Sequence, residues 1–169
     1  QNEINNVPYI IERCYEKEMK SFFNAAPYDI AVKNYPIEKV TWLVVNETEG
    51  AALSNEEDYE KIIQTLKQKY PHTHILFTMG KEGSRAYYKN LRVEQPGFTV
   101  KAIETTGAGD TFCGCSINGV LKYGLDNLDE EKLKEILTYA NAGAALITMK
   151  KGAIRSMPEP QNIKELIGE

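Results

Sequence analysis

The sequence predicts a three-layer α/β fold, a largely parallel sheet with helices on both faces, and three observations predict it. The run T-W-L-V-V at residues 41–45 is apolar without interruption, as a parallel strand is when both of its faces are covered. Strand-like runs of this kind alternate with one-sided helical patterns, the order that builds βαβ units. The stretch T-T-G-A-G-D-T-F-C-G at residues 105–114 follows an extended apolar segment at 98–103 and opens a helix-like run, so the chain is expected to turn there from strand into helix.

Taken in order, residues 7–19 place Val7, Ile10, Ile11 and Cys14 at helical spacing between charges. Residues 20–26 read as a short strand that Pro27 ends. The buried strand 41–45 closes at Asn46, and Asn46-Glu47-Thr48-Glu49 has the spacing of a capping-box variant that would start a helix over 47–53. Residues 55–70 set Ile62, Ile63 and Leu66 on one side of a charged helix that Pro71 terminates. His72 and His74 form an H-x-H pair without a third ligand nearby, for which a loop entering a strand is the simpler account. Residues 75–79 are the next strand, and the glycine-bounded turn 80–84 returns the chain along 85–89 as a hairpin. Two helices follow over 108–123 and 129–149, the second rich in small residues from Tyr139 to Ala145 that allow close packing. A short helix over 162–167 ends the chain.

With 169 residues, 42% hydrophobic and 26% charged, the sequence fits one globular domain over 1–169 that buries a real core. A formal charge of −4 with scattered lysines implies no basic face, so nucleic acid is not an expected partner. Cys14, Cys113 and Cys115 are an odd, sparse set without C-x-x-C spacing, expected as reduced thiols. No apolar run approaches the ~20 residues of a membrane span, so no membrane partner and a cytoplasmic location are expected. The chain opens at Gln1 and enters a helical pattern almost at once, which suggests a piece of something longer.

Chemistry concentrates in the 105–114 stretch. Gly107 and Gly109 let the backbone turn and approach a ligand, and the first N–H groups of the new helix lack intrahelical partners and carry partial positive charge. That combination is an anion site. Asp110 in the same turn supplies a carboxylate suited to taking a proton from an attacking hydroxyl. No Gly-Lys-Ser/Thr follows, so this is not a Walker A loop. A helix with an early aspartate and preceding glycines is the purely structural alternative.

With its flanks, Glu104-Thr105-Thr106-Gly107-Ala108-Gly109-Asp110-Thr111-Phe112 resembles the D-T-x-G-A-G-D signature of the ribokinase-like (PfkB) carbohydrate kinases. The resemblance implies that Asp110 is the catalytic base and that Gly107, Ala108 and Gly109 form the anion hole for the transferring phosphoryl group. Three further stretches resemble family motifs in family order. Asn46 and Glu49 match an N-x-x-E element that helps order magnesium and its water. Thr78, Gly80 and Gly83 match a T-x-G-x-x-G element near the nucleotide phosphates. Lys151-Gly152-Ala153 with Ser156 matches a loop that encloses the adenine and a monovalent cation, and Asn141 stands at a nucleotide-facing position. Glu49, Glu104, Thr106 and Ser156 are the implied metal-side residues, although Glu104 replaces the usual aspartate. The implied cofactors are ATP, Mg2+ and a monovalent cation such as K+. The implied activity is phosphoryl transfer to a sugar, ribose first, with fructose, a nucleoside, or a nucleotide-binding module without turnover as alternatives. Family members run to about twice this length and carry a sugar-binding Gly-Gly motif and a β lid, neither of which is found here. A chain lacking that N-terminal half is expected to be inactive alone and, in the full-length enzyme, to belong to a homodimer.

Overall fold

A computed structural model describes residues 5–169, so Gln1 lies outside the described residues. Contacts gather the chain into two units, one running up to Thr78 and including Tyr87–Asn90, the other combining Met79–Ala86 with Leu91–Glu169.

In the first unit, α1 (Val7–Glu16) buries Val7 and Ile11 and leaves Tyr9 and Tyr15 exposed. The strands β1 (Phe22–Asn24), β2 (Trp42–Asn46) and β3 (His74–Thr78) pair in parallel, with Trp42 opposite His74 and Asn46 opposite Thr78. The expectation for β2 holds, since its first four residues are all buried. Helix α2 (Glu47–Ser54) begins directly after β2, and α3 (Tyr59–Lys69) follows. α3 starts later than its apolar pattern suggested, because Asn55 adopts a left-handed conformation that ends α2 and the Asp58 carboxylate accepts from the Lys61 N–H to cap the new helix. A Cβ on Gly50 would stand 2.9 Å from Ile62 and 3.1 Å from Phe77, so only glycine lets α2 press this closely on its neighbours.

His74 belongs to an aromatic cluster. The rings of Phe22, Trp42 and Tyr88 stack nearly parallel, and His74 lies 5.0 Å from Trp42 and 4.5 Å from Tyr88. Burial, with Lys89 and Lys20 adding to it, pushes the imidazole pKa down to about 4. Between pH ~6.5 and ~4 the unfolded chain therefore binds the proton that the folded chain refuses, and stability is expected to fall as pH drops through that window. His74→Phe should flatten this part of the pH dependence, as read from urea unfolding at pH 7 and pH 5. An unchanged slope would show that another group is responsible.

The five strands are hydrogen-bonded in the order β1-β2-β3-β4-β5. β4 (Gly83–Tyr88) and β5 (Leu91–Pro96) are joined by residues 89–90 alone, which makes them an antiparallel hairpin, and the sheet is mixed and mostly parallel. β5 was not anticipated, although Leu91-Arg92-Val93-Glu94-Gln95 alternates with period two. The expected extended strand at 98–103 is corrected: no strand forms there and residues 101–103 are exposed. Gly107 accordingly follows no strand.

The second unit also contains α4 (Ala108–Tyr123), α5 (Glu130–Thr148) and α6 (Pro160–Ile167). The small-residue reading of α5 holds. Added Cβ atoms would meet Cys115 Sγ at 3.0 Å from Gly143, and Ile136 at 2.6 Å from Gly119 on α4. Burial lifts the Cys113 and Cys115 thiols to about 11, which leaves them as inert packing groups.

Candidate active site

The turn into α4 is built from one glycine the fold requires and one it does not. Gly107 caps the helix at φ 85°, and a Cβ there would lie 3.1 Å from both Ala153 Cβ and Ile147 Cδ1. Gly109 has an ordinary conformation, and a Cβ on it would meet nothing within 4 Å. Glycine in a helix costs about 1 kcal/mol relative to alanine, so position 109 carries that cost without a packing reason. The Ala108 N–H donates to Thr105 O at 3.2 Å, which closes the turn and removes that donor from any ligand. Among the described residues, the N–H groups of Gly109 and Asp110 have no recorded partner and no side chain caps the helix. The Asp110 side chain is exposed beside them. Thr111, which the motif reading passed over, is 6% exposed and its Oγ1 is buried without a partner. A hydroxyl in a first helical turn was the available signal.

The loop 148–156 comes against this turn. Ile103 N–H and Glu104 N–H both donate to Thr148 O, at 2.7 and 3.1 Å, and Gly152 N–H donates to Glu104 Oε2 at 3.0 Å. The Gly152 N–H, and after it the Thr106 side chain, hold the Glu104 carboxyl below the usual carboxylate range. Ser156 is buried and donates its hydroxyl to Lys151 O at 2.7 Å. Glu104, Thr106, Gly107, Gly152 and Ser156 are thus brought together.

Gly80 and Gly83 bound a short 3-10 turn in which Met79 N–H donates to Gly83 O at 2.9 Å. Asn141 is buried in α5, and its amide nitrogen donates to Gln95 O and Pro96 O, both at 3.1 Å. That leaves Oδ1 as the group Asn141 has to offer a ligand.

In the first unit, Asn46 and Glu49 form a complete capping box. Glu49 N–H donates to Asn46 Oδ1 at 2.9 Å, Asn46 N–H to Glu49 Oε2 at 2.9 Å, and Asn46 Nδ2 to Glu49 Oε1 at 3.1 Å. Burial raises the Glu49 pKa against the opposing effect of these bonds. Register sets Asn46 directly opposite Thr78 at the carboxyl ends of β2 and β3, the edge where open parallel sheets bind ligands.

Among the described residues, no group of three or more His, Cys, Asp or Glu side chains could hold a metal, and no helix is long and apolar enough to cross a membrane. A groove lined by residues of α4, α5 and α6, among them Lys122, Tyr123, Glu135 and Tyr139, includes none of the motif residues.

A family model described as pfkB family carbohydrate kinase matches residues 17–160. Among curated relatives, probable fructokinase-5 of Arabidopsis thaliana is 43% identical over 93 residues, 55% of this chain and 29% of its own length. Fructokinase-2 of Oryza sativa subsp. japonica is 40% identical over 95 residues, 56% of this chain and 28% of its own. Among solved structures, fructokinase from Vibrio cholerae O395, bound to fructose, ADP and calcium, superposes with a TM-score of 0.81 at 20% identity, over 94% of this chain and 54% of that one. Arabidopsis thaliana ribokinase, complexed with ribose and ATP, gives 0.75 at 23% identity over 96% of this chain and 52% of that one. These likenesses confirm the three-layer α/β fold, and the chain spans about half the length of the solved structures it matches.

Proposed function

Because the chain belongs to the pfkB family of carbohydrate kinases, we propose that it carries the nucleotide side and the catalytic base of an ATP-dependent sugar kinase. The observation that carries this reading is the first turn of α4, where two N–H groups without partners, a glycine with open space around it and an exposed carboxylate coincide. The N–H groups of Gly109 and Asp110, at the positive end of a 16-residue helix, bind and orient the transferring phosphate. Gly107 shapes the turn, and the Ala108 N–H closes it by bonding to Thr105 O. The Asp110 carboxylate accepts the proton of the attacking sugar hydroxyl. Gly80, Gly83, Asn141 through Oδ1, and Gly152 are proposed to meet the nucleotide.

Magnesium fits this reading without a dedicated cage, because the ion keeps several waters and binds largely through substrate phosphates. When bound, it offsets negative charge on the phosphates. Glu49 is the residue proposed to order its water, since each carboxylate oxygen accepts one bond from Asn46 and retains a lone pair. Fructose is the acceptor we favour over ribose, because the sequence relatives at about 40% identity are named fructokinases whereas the ribokinase likeness is one of fold.

Gly109→Ala tests the reading. A methyl group there displaces no protein atom, so stability should hold or rise by up to ~1 kcal/mol. It would stand where phosphate oxygens approach the helix, so Mg-ATP affinity or turnover should fall at least about tenfold, a loss of ~1.4 kcal/mol in binding or transition-state stabilisation. Titration calorimetry and ADP release in the full-length protein read the two effects. Unchanged binding together with unchanged turnover would remove the anion site from the proposal.

A further inference from the structure

Two segments of the second unit lie side by side. The N–H groups of Ile103 and Glu104 both donate to Thr148 O, and the Gly152 N–H donates to the Glu104 carboxylate, so residues 101–104 run beside the loop 148–157. Four large apolar side chains on these segments, Ile103, Met149, Ile154 and Met157, are exposed. Ile154, at 85%, is the most exposed large hydrophobic residue described. The backbone around it is nonetheless tied down. Ser156 is buried, its hydroxyl donates to Lys151 O at 2.7 Å and its N–H to Ala153 O at 3.1 Å, and Ala153 fills the space beside Gly107. Anchors on both sides thus hold a 3-10 turn (Ile154–Ser156) from which Ile154 and Arg155 project.

The charge on this surface is of one sign. Residues 98–103 and 148–157 contain Lys101, Lys150, Lys151 and Arg155 and no acid, in a chain whose formal charge is −4, with Glu104 and Glu159 flanking them in sequence. All four cations are exposed, and none forms an ion pair or a side-chain hydrogen bond with the described residues. Cations elsewhere do find carboxylates, as Lys39 finds Glu12, Arg85 finds Glu94 and Lys134 finds Glu130.

Exposed apolar side chains among unpaired cations fit a partner that is both anionic and apolar. Shape selects among such partners. A helical peptide needs a groove, and the groove on α4, α5 and α6 includes none of these residues. A projecting tip instead suits a yielding surface, which the apolar side chains enter while lysine and arginine heads stay among anionic headgroups. We propose that the surface formed by residues 101–104 and 148–157 docks on an anionic lipid membrane, with Ile154 inserting and Lys101, Lys150, Lys151 and Arg155 meeting headgroups. Such contact is made from one side and needs no membrane-spanning helix. The inference does not rest on the kinase reading.

Co-sedimentation with vesicles tests it, using phosphatidylcholine alone and phosphatidylcholine with about one-third phosphatidylserine. At about 0.1 M salt the chain is expected to bind the anionic vesicles about tenfold or more tightly than the neutral ones, and to lose most of that affinity at about 0.5 M. Arg155→Glu should lower the affinity about tenfold or more, since a repulsion replaces an attraction. Ile154→Ser should lower it about fivefold or more, because the inserting side chain is gone. Leu121→Ser, at a residue 76% exposed on α4, should leave it unchanged. All three positions are exposed, and circular dichroism should show each variant folded. No binding to the anionic vesicles would overturn the proposal, as would equal binding to the neutral ones. Loss with Arg155→Glu but not with Ile154→Ser would reduce the contact to electrostatic adsorption and overturn it as well. Binding to polyglutamate without binding to vesicles would overturn it in favour of an acidic polypeptide partner.

Discussion

On the proposed kinase reading, Asp110→Asn is expected to lower turnover about 10²- to 10⁴-fold in the kinase-active protein, measured as ADP release at saturating fructose. Removing a general base costs about 3–5 kcal/mol of transition-state stabilisation, and asparagine removes the proposed base while keeping size and polarity. The proposed anion site should survive, because it would be built from the N–H groups of Gly109 and Asp110 and not from the side chain. Mg-ATP affinity is therefore expected to stay within a few-fold, or to tighten slightly as a negative charge leaves the neighbourhood of the phosphates. Folding should suffer little, since an exposed aspartate in a first helical turn contributes about 0.3–1 kcal/mol through the helix dipole. Turnover near that of the unsubstituted enzyme would refute Asp110 as the base and move a nucleotide-binding module without catalysis ahead of the kinase.

Gly83→Ala is expected to have the largest effect on stability. Gly83 stands at φ 110° and ψ −137°, a region that side chains with a Cβ scarcely enter. The added atom would fall 2.1 Å from Gln95 O and 2.5 Å from the Gly97 nitrogen, and both are backbone atoms that no rotamer change can move aside. Strain and clash together should cost about 3–5 kcal/mol. At an m-value of roughly 2 kcal/mol/M, that lowers the urea midpoint by about 1.5–2.5 M. Gly109→Ala is the matched control, being the same substitution in open space, and its midpoint should not fall. A Gly83→Ala midpoint equal to that of the control would mean that the β4–β5 hairpin does not close on Gly83 as described. The contrast also divides the glycines of the motifs, with Gly83 and Gly107 demanded by the fold and Gly109 free of any packing requirement.

By itself, the sequence determined the α/β class, the buried strand β2, the helices that follow it, the capping box of Asn46 and Glu49, and the turn into α4 with Asp110 in its first turn. Each of these rests on periodicity or on hydrogen bonds spanning a few residues, which a linear pattern records. The tertiary structure decided what depends on partners far apart in the chain. Residues 98–103 are as apolar as a strand, yet they form none, while the more charged 91–96 pairs with β4 through a two-residue turn. His74 follows a loop that suggested at most a metal ligand, and the ring is instead held neutral among aromatic side chains drawn from three other strands. Asn141 carries no local mark of its partners, because the Gln95 and Pro96 carbonyls lie 46 and 45 positions away. Glu104 is the sharpest case. Its identity as an acid was plain, but which backbone group that acid meets depends on where the loop after α5 returns, and packing brings the Gly152 N–H to it.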